Sequence, residues 1–169
     1  MQTVRLFLTD VDGCMTDGGM YYTEDGKQLK RFCVYDGVGI KNLQARGIKC
    51  GIITGENTPI VANRAKDLGV DYLYMGVGSF HRDQKTKLEV AQEICHDMDI
   101  DLSEVVYLGD DENDIDLLEK VGYAFCPPNA AGKVKEIHGI YVTDNRGGDG
   151  AVREVSEWIL SGWGDFPGR

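Results

Sequence analysis

A strict alternation of apolar and amphipathic segments is what most constrains this chain. Nearly all-apolar runs at residues 4–9, 48–53, 72–75 and 105–108, with weaker ones at 124–126 and 140–142, are separated by amphipathic stretches at 37–46, 58–68, 87–98, 113–120 and 130–138. A strand that is apolar on both faces must be covered on both, and strands joined through helices run parallel. The pattern therefore predicts an α/β fold, a doubly wound three-layer parallel sheet of Rossmann-like type, with residues 1–169 as a single domain. Residues 18–34 break the alternation: two β-prone runs flank Asp25-Gly26, a pair that favours a tight hairpin turn. A β-hairpin is expected there, either an ordinary edge hairpin or a flap over a site.

Ligands of open parallel sheets bind beyond the carboxyl ends of the strands. Those ends carry Asp10-Val11-Asp12-Gly13, then Thr54-Gly55-Glu56, then Gly109-Asp110-Asp111 with Asp114 close behind, while Lys87 opens the helix after the third run. Each has an ordinary explanation taken alone. Paired aspartates are commonly solvated turns, Thr-Gly is a common helix cap, and acids suit a helix N-terminus. Their convergence on one end of the sheet is what points to a site.

The chain has 18 Lys+Arg against 28 Asp+Glu, a net charge of −10. Nucleic acids and anionic membrane surfaces are bound through Lys and Arg, so this balance argues against both as partners. An anionic substrate needs a cation to enter such a crevice. Several carboxylates in one place are tolerable when they share a hard divalent ion, and Mg²⁺ prefers oxygen ligands. Asp, Thr, Lys and a metal around one phosphoryl group suit phosphoryl transfer to an aspartate. The five scattered cysteines form no CxxC pair, and no apolar run approaches the roughly 20 residues of a membrane span. With no leader-like N-terminus, a cytoplasmic location is expected. Cys14 reads as a structural or site-lining thiol, His81, His96 and His138 as isolated residues, and Trp158 and Trp163 as packing contacts.

Asp10-Val11-Asp12-Gly13, Thr54, Lys87 and Gly109-Asp110-Asp111 resemble, in order, the four motifs of the haloacid dehalogenase superfamily. Residues 10–18, 32–40, 53–55 and 146–155 are similar to one capless branch, that of 3-deoxy-D-manno-octulosonate 8-phosphate and 2-keto-3-deoxynononate 9-phosphate phosphatases. That branch also holds the phosphatase-like domains of some acylneuraminate cytidylyltransferases. The resemblance implies Asp10 as nucleophile and Asp12 as general acid and base. Thr54, Gly55 and Lys87 would bind phosphate, and Mg²⁺ would be held by Asp10, the Asp12 carbonyl and Asp110, with Asp111 and Asp114 in support. It implies a phosphatase for a small phosphorylated sugar acid, a β-hairpin flap in place of a cap domain, and a homotetramer in which a neighbouring subunit completes the site. Residues 146–153 resemble the tail that reaches an adjacent subunit, though Gly147-Gly148 could equally join the last strand to the last helix.

The sequence departs from this pattern in two places. Residues 78–86 are longer than the usual link, which leaves Lys85 and Lys87 as alternatives for the phosphate-binding lysine; the apolar spacing that follows favours Lys87. Glu56 stands where the octulosonate enzymes tend to have Arg. With Arg64 it would contact a nine-carbon substrate, or it is simply an acid in a helix's first turn. Two other classes compete: a noncatalytic assembly module, and a receiver-type phosphoacceptor domain, which would need an Asp after the third strand where Met75-Gly76 stands.

Overall fold

The structure, a computed structural model, describes residues 3–26, 28–78 and 84–162. His81, Trp163 and residues 79–83 of the long link lie outside the described residues. The elements in chain order are β1 (Leu6–Thr9), β2 (Tyr21–Tyr22), β3 (Gln28–Leu29), α1 (Val34–Ala45), β4 (Lys49–Thr54), α2 (Pro59–Leu68) and β5 (Tyr72–Met75). They continue with α3 (Lys87–Met98), β6 (Val105–Leu108), α4 (Ile115–Leu118), β7 (Tyr123–Cys126), α5 (Gly132–Lys135), β8 (Tyr141–Val142) and α6 (Ala151–Leu160).

Six strands form one sheet in the order β5-β4-β1-β6-β7-β8, and every neighbouring pair is parallel. This is the expected α/β sheet. β1 lies between β4 and β6, with Thr9 opposite Ile52 on one side and Leu108 on the other, so the loops after these three strands open side by side. Alternation along β1 sends Phe7 to one face and Leu6 and Leu8 to the other. Phe7, Ile52 and Phe125 pack under α1 and α6 with Ile40, Leu43, Val152 and Val155, while Leu6, Leu8 and Ile53 pack under α3 and α4 with Val90, Ile94 and Leu117. Both faces are sealed, which is why the strands needed no polar side. Trp158 serves packing as expected, with its ring 5.0 Å from Phe125 and 5.5 Å from Tyr123.

β2 and β3 form the separate antiparallel hairpin predicted around Asp25-Gly26. The stretch from Asp10 to Thr54 holds this hairpin and α1 but no cap domain. Two amphipathic stretches are shorter than the sequence suggested. Residues 113–120 divide into a 3-10 turn (Glu112–Asp114) and the four-residue α4, and 130–138 contract to α5. In the first case the Asp114 carboxylate bonds the Asp110 and Asp111 amides, which ties the first turn back to the loop. No helix among the described residues is long and apolar enough to cross a membrane.

Candidate active site

Asp10 directly follows β1, and its amide continues the sheet by donating to Leu108 O at 3.0 Å. The Val11 carbonyl then accepts from the amides of Cys14, Met15 and Thr16 at 3.3, 2.8 and 3.0 Å, which coils the loop into a single tight turn. Gly13 sits in this turn at φ +85°, and a Cβ there would stand 1.9 Å from Asp110 Oδ2. Only glycine allows the two loops to approach that closely.

The 146–153 segment secures the same loop from within the chain. Asn129 Nδ2 donates to Gly13 O at 2.8 Å, Asn129 Oδ1 accepts from the Gly147 amide at 2.9 Å, and the Gly148 amide donates to Cys14 O at 3.1 Å. A Cβ on Gly147 would lie 1.8 Å from Gly13 O. Close backbone packing thus seats Gly147 and Gly148 on their own chain's Asp10 loop, in keeping with the reading that they join the last strand to the last helix. Sequence reading missed Asn129, because nothing local marks it.

Lys87 is wholly buried at the start of α3, whose N-terminus is fixed by a Thr86–Glu89 capping box. Its Nζ donates to Asp10 Oδ2 at 2.7 Å and to Asp114 Oδ1 at 2.6 Å. Lys85, the alternative, is exposed and paired with Glu93 at 2.6 Å. Burial works against the Lys87 charge, but Asp10 and Asp114 outweigh it and hold the ammonium above its usual range. Burial also pushes Asp10 up to about 6, with Lys87 pulling it down and Asp114 pushing it further up. Asp110 is pushed up to about 8, by burial first and then by Asp10 and Asp114. Cys14 is buried and donates to Asp110 Oδ1 at 3.5 Å, and burial beside these carboxylates raises its thiol well above the ordinary range. It is an inert support, as expected.

Asp114 has no freedom left. Oδ1 accepts from Lys87 and the Tyr107 hydroxyl, and Oδ2 accepts from the amides of Asp110 and Asp111 at 2.9 and 3.1 Å. Asp111 caps the 3-10 turn by accepting from the Glu112 amide at 2.8 Å. Asp10, Asp110 and Asp114 bring carboxylate oxygens within 4.8 Å of one another. Among the described residues Lys87 is the one cation bonded into this group, so three carboxyl groups face a single positive charge. Hard oxygen donors with surplus charge fit a divalent cation such as Mg²⁺. Asp10 and Asp110 are the better direct donors, since Asp114 is already saturated.

Asp10 and Asp110 line a crevice of about 530 Å³ with Asp12, Thr54, Gly55, Glu56, Asp111, Asn113 and Met20 of the hairpin, and Lys87 and Asp114 lie buried behind them. Thr54 is buried at the end of β4 and its Oγ1 accepts from the Glu56 amide at 3.2 Å. Ten residues were singled out from sequence, and nine come together here. Arg64 does not: its guanidinium donates to Cys33 O at 3.3 Å and stacks 5.5 Å above the Phe32 ring. Its place on α2 directs it to the segment before α1, so pairing it with Glu56 in one contact set needs correction. Glu56 instead pairs with Lys30, whose Nζ lies 2.9 Å from Glu56 Oε2 and 2.6 Å from Asp12 Oδ1. Lys30 escaped the sequence reading because only the hairpin's fold-back carries it there.

Strand order, crevice and carboxylate cluster together define a haloacid dehalogenase-like hydrolase, and the family model of that description matches residues 79–155. Over 158 residues, 93% of this chain and 80% of the relative, the chain is 37% identical to the 3-deoxy-D-manno-octulosonate 8-phosphate phosphatase KdsC of Yersinia pestis. The Haemophilus influenzae protein of the same name is 32% identical over 97% of this chain and 87% of its own. A phosphatase of that name from Moraxella catarrhalis, solved with magnesium ion, phosphate ion and KDO, superposes with a TM-score of 0.85. It is 35% identical, with 94% of this chain and 86% of that one covered. The chain belongs to the 3-deoxy-D-manno-octulosonate 8-phosphate phosphatase family, in the capless branch of that superfamily.

Proposed function

We propose that residues 1–169 form a single-domain, Mg²⁺-dependent phosphatase that removes the terminal phosphate of an eight-carbon 2-keto-3-deoxy sugar acid. The observation that carries this is the buried Asp10–Lys87–Asp114 chain beside Asp110, behind the floor of a crevice that Asp10 and Asp110 line with Asp12 and Thr54. The named relatives support the eight-carbon substrate. The pairing of Glu56 with Lys30 weakens the case for Glu56 as a nine-carbon marker.

Asp10 attacks phosphorus. Its carboxylate accepts from the Lys87 ammonium, which favours the ionised form against the desolvation that burial brings. Asp12 gives a proton to the leaving sugar oxygen and later takes one from the water that cleaves the aspartyl phosphate. Lys87 has three N–H donors and uses two on Asp10 and Asp114, which leaves one for a phosphoryl oxygen. The Thr54 hydroxyl holds another. Asp10, Asp110 and the Asp12 carbonyl would hold Mg²⁺, which would supply the positive charge that lets an acidic crevice accept a phosphate dianion. Asp111 and Asp114 brace the loop.

Met20, Tyr21, Tyr22 and Leu29 of the hairpin, with Val34, Tyr35 and Val38 of α1, are exposed apolar or aromatic side chains. A homotetramer that buries them would cover the crevice without a cap. Sedimentation of a Tyr22→Ser/Leu29→Ser double variant tests this: dissociation supports the assembly, and an unaltered oligomer argues against it. We place the enzyme in the cytoplasm, where its five free cysteines remain reduced.

The function itself is tested by phosphate release from eight- and nine-carbon substrates with and without Mg²⁺. The eight-carbon ester should be preferred, and Asp10→Asn should abolish turnover. Full activity in that variant would refute the mechanism.

A further inference from the structure

Lys30 has no part in the chemistry above, yet its placement is costly. It lies one residue past β3, on a hairpin whose neighbouring side chains face solvent, but its own side chain is 3% exposed. Burying an ammonium is tolerated only with good partners. Here the partners are the carboxylates of Asp12 and Glu56, one on the loop after β1 and one on the loop after β4. One ammonium thus ties the hairpin to both loops that form the mouth of the crevice. Lys30 does not line that crevice; Asp12 and Glu56 do.

The oxygen it selects is informative. Lys30 Nζ donates to Asp12 Oδ1 at 2.6 Å, and the Thr16 hydroxyl donates to the same Oδ1 at 3.2 Å. Both described donors converge on one oxygen and leave Oδ2 for the proton. A carboxyl group free to rotate would present either oxygen, in many orientations, to the leaving atom. One clamped through Oδ1 presents Oδ2 alone.

We infer that Lys30 is a positioning residue for the acid step: it clamps Asp12 through Oδ1 so that Oδ2–H faces the leaving oxygen, and it makes that geometry depend on the hairpin being seated. In the step concerned, an Asp10 oxygen bonds to phosphorus as the ester P–O bond breaks. The bonding pair stays on the leaving oxygen, which takes the proton from Asp12 Oδ2 and departs as the alcohol.

This inference rests on the proposed phosphatase activity, and leaving-group dependence separates the two. kcat/KM reports events up to cleavage of the ester bond. A sugar alkoxide needs the proton to leave, whereas p-nitrophenolate leaves without it. Wild type, Lys30→Met and Lys30→Arg are compared on the sugar-acid phosphate and on p-nitrophenyl phosphate with Mg²⁺. In Lys30→Met, kcat/KM for the sugar ester should fall about 10- to 100-fold more than for the aryl ester, a part of what a well-placed general acid contributes. Lys30→Arg should recover most of that difference. The ratio of the two substrates on one preparation does not depend on how much of it is folded. Equal losses on both esters, or no loss on either, overturn the positioning role while leaving the phosphatase assignment intact. A wild-type protein that hydrolyses neither ester overturns both.

Discussion

Replacing Asp110 by Asn should make the metal-free protein more stable while depriving it of its metal. The structure holds the Asp110 carboxyl at about 8, against an ordinary 3.8, through burial and the neighbouring Asp10 and Asp114. Because the folded value lies above the unfolded one, the folded protein keeps a proton that the unfolded chain has already released. The contribution of this group to stability is therefore fully present below about pH 4 and is lost as pH rises toward 8. Each pH unit in that window costs about 1.4 kcal/mol, a ceiling of about 5–6 kcal/mol. Asp110 borders an open crevice, so solvent screening brings the expectation down to about 2–3 kcal/mol. Asn cannot ionise and carries none of this slope. In EDTA, the two proteins should have similar denaturation midpoints near pH 4. By pH 9 the variant should lie about 5–10 °C above wild type, at about 2–4 °C per kcal/mol for a chain of this size. Saturating Mg²⁺ should raise the wild-type midpoint and leave the variant's almost unmoved. Parallel pH curves in EDTA would show that Asp110 is not the strained acid, and equal Mg²⁺ stabilisation of both proteins would remove it from the metal site.

Two further substitutions probe the same loops. Lys87→Met leaves Asp10 and Asp114 facing each other without the buried ammonium between them; denaturant titration near neutral pH should show a loss of about 3–5 kcal/mol, together with loss of turnover. Gly13→Ala must place a Cβ 1.9 Å from Asp110 Oδ2 at φ +85°; the backbone alone costs about 1–2 kcal/mol, and calorimetric Mg²⁺ titration should show weakened binding as Asp110 is displaced.

How far the sequence disclosed this molecule depends on whether a residue's partner is local. The strands at 72–75 and 105–108 and the helix opening at Lys87 were legible to the residue, since apolar runs and the apolar spacing after Lys87 are local signals. Asp10, Asp12, Thr54, Glu56 and Asp110 were legible because parallel strands bring their carboxyl ends to one edge. The shrinkage of 113–120 was not legible, since it depends on where the Asp114 carboxylate turns. Lys30, Asn129 and the direction of Arg64 depend on segments far apart in the chain that meet only after folding. Periodicity carries no record of such meetings.

The saturation of Asp114 has a consequence for how the site tolerates change. Four donors converge on two oxygens: an ammonium, a phenol and two amides. Asparagine has the same outline, but its NH₂ would face either two backbone amides, which only donate, or an ammonium beside the one partner, the Tyr107 phenol, that can turn to accept. The mildest replacement by shape is thus among the harshest by polarity, and a residue that need never touch the substrate is one the site can least afford to vary.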